Sequence, residues 1–129
     1  MTEKLEIYKC NICGNVVQVL LSGVGELVCC GESMSKLSPN TVENNELAEK
    51  HTPEIELMND ETFVKLSKHP MSPDHYIQFI QVQAKDASCV HTKFLNPNET
   101  AEFNVSFMNK DFDAYELCNI HGLWRNTND

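Results

Sequence analysis

Two cysteine pairs near the start of the chain constrain its fold more than any other feature. Cys10-x-x-Cys13 lets two sulfurs converge on one ion around a turn, and the adjacent pair Cys29-Cys30 completes a four-thiolate set. Residues 1–37 read as a separate small module. A module this short cannot hold itself together by apolar burial alone, so bound metal must supply much of its folding energy. Leu5-Glu6-Ile7-Tyr8-Lys9 alternates as a short strand and Cys13-Gly14-Asn15 supplies a tight turn. Val16 to Leu21 reads as a second strand, and Ser22-Gly23-Val24-Gly25 turns the chain back. Four thiolates suit iron or zinc equally. Neighbouring side chains diverge, so placing Cys29 and Cys30 on one ion implies a distorted tetrahedron. A structural zinc ribbon is the plainer alternative, and a vicinal disulfide the minor one.

Ser38-Pro39-Asn40-Thr41 reads as a linker, and residues 38–129 as an all-β domain. Short alternating segments recur at Glu54 to Leu57, Phe63 to Leu66, Tyr76 to Gln83, Val90 to Leu95 and Glu102 to Met108. Turn signals separate them, notably Met58-Asn59-Asp60-Glu61 and Asn96-Pro97-Asn98. Phe103, Val105 and Phe107 face one way, and Glu102, Asn104 and Ser106 the other. Strands at this spacing predict an antiparallel β-sandwich. One helical turn is expected, over Asn45 to Lys50.

This second region holds a different set of donors. Glu49-Lys50-His51 is followed by His69-Pro70-Met71, Asp74-His75-Tyr76 and Cys118-Asn119-Ile120-His121. Proline after His69 biases it towards extended backbone, and Pro73 lies just before His75. These residues therefore belong to loops and strand ends, where a rigid scaffold presents ligands. Four imidazoles and one thiolate are too nitrogen-rich for a structural zinc site, which closes at four ligands. They suit a redox iron with one open position. His91 and Cys89 stand outside these motifs; a strand-face imidazole and a small buried thiol are the readings for them. Met71 reads as a packing residue, and Trp124 and Tyr115 as core or site-lining residues.

An apolar content of 41% is enough for a packed core, and a formal charge of -9 argues against a nucleic-acid partner. The N-terminus has no apolar run and no stretch is long enough to span a membrane, so no signal peptide or anchor is expected. Six cysteines in that context imply metal ligation in a reducing cytoplasm rather than disulfides. Five ligand thiolates cancel one ferric and one ferrous ion, so the balance stays negative and an anionic substrate must be attracted locally. Its place immediately before His51 makes Lys50 the candidate for that attraction, against the plainer reading of a solvated Glu49-Lys50 surface pair.

In motif order, the whole chain resembles desulfoferrodoxin, the two-iron form of superoxide reductase. The resemblance rests on Cys10-x-x-Cys13, Cys29-Cys30-Gly31-Glu32, Glu49-Lys50-His51-x-Pro53, His69-Pro70-Met71, His75-Tyr76 and Cys118-Asn119-x-His121-Gly122-x-Trp124. It implies a distorted, rubredoxin-like (desulforedoxin-like) Fe(Cys)4 centre at Cys10, Cys13, Cys29 and Cys30. It also implies an iron held in a plane by His51, His69, His75 and His121, with Cys118 axial, in an immunoglobulin-like sandwich. The implied activity is one-electron reduction of superoxide to hydrogen peroxide without dioxygen release, with a rubredoxin-like donor and a homodimeric state. Glu49 would take the sixth iron position after oxidation. A non-catalytic iron or copper electron carrier is the alternative, although no axial methionine follows His121. A zinc-held interaction module leaves the histidines unexplained.

Overall fold

A computed structural model of the chain describes residues 1–41, 47–108 and 111–128. Contacts fall into two compact units, Met1–Ser38 and Pro39–Asp129.

The first unit is built from very short strands. β1 (Ile7–Lys9) lies between β2 (Val16–Gln18) and β5 (Ser35–Lys36), and β3 (Val28–Cys29) pairs with β4 (Glu32–Ser33). Two strands are shorter than their alternating patterns predict. Leu5 adopts φ 72, which turns the chain before β1, and the second strand stops at Gln18. Few apolar residues are buried here: Ile7, Cys10 and Val19 are, whereas Leu20, Leu21, Val24 and Val28 are exposed.

The second unit is an antiparallel sandwich. One sheet has the order β10-β7-β6, from β6 (Glu54–Met58), β7 (Glu61–Lys65) and β10 (Glu102–Asn104). The other has the order β12-β11-β8-β9, from β8 (Ile77–Ala84), β9 (Val90–Phe94), β11 (Phe112–Cys118) and β12 (Gly122–Asn128). Three strands on four, all antiparallel, match an immunoglobulin-like layering. Val64 and Leu66 from one side meet Ile80, Val82, Phe112 and Ala114 from the other in a single apolar core.

The sequence reading needs correction at four points. The segment Glu102 to Met108 is a strand only as far as Asn104. There the chain folds over, with Val105 N–H bonded to Thr62 O and Met108 N–H to Val105 O, which leaves Phe107 exposed instead of inward. Asn40 is no free linker: its N–H and C=O bond Leu123 and Arg125, pinning it beside β12. The segments that became β11 and β12 carried no strand expectation, although they form one side of the four-stranded sheet. The helix α1 (Ala48–His51) is shorter than Asn45 to Lys50 and runs one residue further, while Asn45 and Glu46 lie outside the described residues.

Candidate metal centres

In the first unit the thiols of Cys10, Cys13, Cys29 and Cys30 all lie within 4.8 Å of one another. The adjacent pair converges because Cys30 takes a left-handed backbone, φ 55, followed by Gly31 at φ 76. That conformation is unfavourable for a residue with a side chain and swings the second thiol back towards the first. Cys29 Sγ comes to 3.6 Å from Cys13 Sγ and 3.9 Å from Cys30 Sγ, and all are free thiols. Backbone N–H groups of Cys13 and Ile12 pull the Cys10 thiol down to about 6, so it ionises readily, whereas thiol neighbours push Cys30 up to about 12. Four thiolates gathered this closely repel one another unless a cation lies among them.

The second group gathers at one end of the sandwich. His51 closes α1, His69 follows β7, His75 precedes β8, Cys118 ends β11 and His121 lies in the turn into β12. A register irregularity between Leu117 and Cys118 turns the thiol at the strand end, and Gly122 at φ 83 makes the turn, a conformation glycine adopts freely. Donor atoms of His51, His69, His75 and Cys118 lie within 4.8 Å of one another. His121 is outside that mutual set, but its Nδ1 lies 3.1 Å from His51 Nε2 and 3.9 Å from Cys118 Sγ.

Hydrogen bonds fix which nitrogens face inward. His51 Nδ1 sits 2.9 Å from Leu47 O and His69 Nδ1 2.6 Å from Pro70 O. A carbonyl only accepts, so both Nδ1 atoms carry the proton and both Nε2 atoms present lone pairs. Those two Nε2 atoms face each other at 3.2 Å, and His75 Nε2 is buried without a partner. Lone pairs aimed at one point repel unless a cation lies among them. Burial keeps the rings neutral, pushing His51 down, His69 to about 4, and His75 down with help from the His121 and Lys50 charges. Burial also pushes the Cys118 thiol up, against N–H groups of His121 and Ile120 that draw it down. The two groups are consistent with two iron sites.

Further residues hold this arrangement. Trp124 is buried, stacks on His51 at 5.0 Å between centroids, and donates its indole N–H to His121 O. Asn119 accepts from Tyr76 N–H and donates to Asp74 O, tying the Cys118 turn to the segment around His75. Its only sequence signal was its place inside the Cys118 motif. Met71 packs on the core, as read from sequence. His91 lies exposed on β9, while Cys89 is exposed rather than buried, because it follows the turn that closes β8 onto β9. Glu116, beside Cys118 on β11, is buried with both carboxylate oxygens unpartnered, and burial pushes it well above the usual range. Glu49 and Lys50 lie on α1 next to His51, and Glu49 pairs with Lys68.

Comparison with known proteins agrees with this geometry. The desulfoferrodoxin N-terminal domain model matches residues 2–37 and the desulfoferrodoxin model residues 43–127. The chain belongs to the desulfoferrodoxin family. Desulfoferrodoxin from Desulfarculus baarsii is 44% identical over 99% of this chain and 100% of its own, and that from Syntrophotalea carbinolica is 44% identical over 96% and 97%. Desulforedoxin from Megalodesulfovibrio gigas is 56% identical over 28% of this chain and 97% of its own length. In fold, the chain is similar to the superoxide reductase from Treponema pallidum, with a TM-score of 0.70, 24% identity, and coverage of 97% and 99%. Among the described residues no helix is long and apolar enough to cross a membrane.

Proposed function

We propose that this protein is a superoxide reductase, with superoxide as substrate and hydrogen peroxide as product. The observation that carries the reading is the convergence of neutral imidazoles and the Cys118 thiol on one point, with Lys50 close by. His51, His69, His75, His121 and Cys118 would hold one iron, and Cys10, Cys13, Cys29 and Cys30 the other. The chemistry the His/Cys-bound iron supplies is one-electron transfer to superoxide. Neutral imidazoles leave the site a net positive charge, because only the thiolate offsets the ion. Lys50 draws the anion in against the chain's -9 balance. The net change is one superoxide, one electron and two protons to one hydrogen peroxide.

A rubredoxin-like protein is the proposed electron donor and a second copy of the chain the proposed partner. The apolar exposure of Leu20, Leu21 and Val24 supports the latter. The cytoplasm is the proposed compartment. The deciding experiment supplies superoxide to the reduced, iron-loaded protein with an electron donor and counts products. One peroxide per superoxide and no dioxygen supports reduction. Dioxygen release in a dismutation ratio, or no superoxide consumption, rejects it.

A further inference from the structure

The Lys68 ammonium lies 3.0 Å from a Glu49 carboxylate oxygen. Each partner sits beside a candidate ligand: Lys68 precedes His69, and Glu49 lies two positions before His51. The pair therefore joins α1 to the segment after β7, the two stretches that bring His51 and His69 together. α1 is only four residues long and has no side-chain cap. The Lys68 and Glu49 side chains are 58% and 73% exposed, so their pairing adds little to folding stability. Its consequence is local and electrostatic. An unpaired carboxylate on α1 would meet an incoming anion with like charge and would compete with it for a nearby cation. Lys50, on the same turn, has no ion-pair partner among the described residues.

We propose that Lys68 is a positioning residue, which acts through Glu49 by holding its carboxylate off the His/Cys site and cancelling its charge. Lys50 is then the uncompensated cation that an anion meets. This rests on the superoxide reductase reading, in which the reduced His/Cys iron keeps one position open.

The test is azide titration of the reduced, iron-loaded protein, read from its near-infrared ligand-field absorption, in wild type, Lys68→Gln, Glu49→Ala and the double variant, with iron content measured in each. Lys68→Gln should weaken azide binding about three- to tenfold, and Lys68→Arg should restore it. In the Glu49→Ala background, Lys68→Gln should change azide affinity by less than about twofold, because a residue acting through another has no effect once that other is gone. Unchanged azide affinity in Lys68→Gln overturns the proposal. So does an equal loss in both backgrounds, which would make Lys68 an independent charge. A fall in iron content confined to Lys68→Gln also overturns it, since Lys68 would then serve to hold the ligands. Azide that fails to bind even the wild-type iron sinks the open position, and the superoxide reading with it.

Discussion

Replacing Trp124 with phenylalanine tests whether the indole holds the His/Cys site together. Trp124 is 1% exposed, stacks on His51 at 5.0 Å and donates to His121 O at 3.0 Å. Phenylalanine keeps a ring against His51 but cannot donate. The stranded carbonyl costs about 1–2 kcal/mol, the lower part of the range for a buried polar group left unpaired. The smaller ring leaves up to ~40 Å³ of space, worth about 1 kcal/mol at the usual cavity coefficient. The expected loss is therefore about 2–3 kcal/mol in the second unit. His121 also loses the anchor that sets its backbone, so iron affinity should fall about 10- to 100-fold, as when a partner that orients a metal ligand is removed. Urea unfolding followed by circular dichroism measures the first quantity, because Trp124 is the sole tryptophan and its fluorescence vanishes with it. Competition with a chelator of known affinity measures the second. A stability loss of about 1 kcal/mol or less with unchanged iron affinity would refute the reasoning: the indole would then fill space and nothing more.

Lys50→Ala should slow superoxide capture about tenfold and flatten its dependence on salt, both read by pulse radiolysis; an unchanged rate and salt slope would remove Lys50 from the mechanism. Asn119→Ala removes two hydrogen bonds between the Cys118 turn and the segment around His75, and should cost about 1–2 kcal/mol in urea unfolding, with lower iron content on purification. In the first unit, Lys36, the Glu3 backbone and Tyr8 hold Glu6 at about 2, against 4.5 in the unfolded chain. A depressed folded value means the carboxylate stabilises the unit above about pH 4.5 and that this contribution is lost as pH falls towards 2. Between those limits wild type should lose more stability than Glu6→Gln, measured by acid titration of the circular dichroism signal, and parallel curves would remove Glu6 from the linkage.

Much of the second unit was legible because β6, β8 and β9 alternate and end on turn residues. β11 was not, because its inward face carries Glu116 between Ala114 and Cys118, and a buried carboxylate breaks the apolar period. β12 is short of apolar residues beyond Leu123 and Trp124, and owes its place to full-length pairing with β11. The overextended Glu102 to Met108 strand failed for the reverse reason: Phe107 continues the alternation in sequence while the backbone has already turned. Cysteine and histidine spacing pointed to two metal groups, and the structure gathers two such groups. Spacing says nothing of the neighbouring carbonyls of Leu47 and Pro70 that orient the rings, since a backbone carbonyl has no residue signature, or of Asn119 and Lys68, whose contacts join segments far apart in the chain.

β8 runs from Ile77, next to His75, to Ala84, so its eight residues put the turn before Cys89 roughly 25 Å from the His/Cys site. Cys89 is exposed there, while the other five cysteines belong to the two metal groups or lie beside them. With metal bound, Cys89 is thus the one thiol open to a maleimide. A dye or an electrode linker attached at that point would orient the sandwich with its ligand-bearing end facing outward, and lengthening the turn between β8 and β9 would leave the ligands undisturbed.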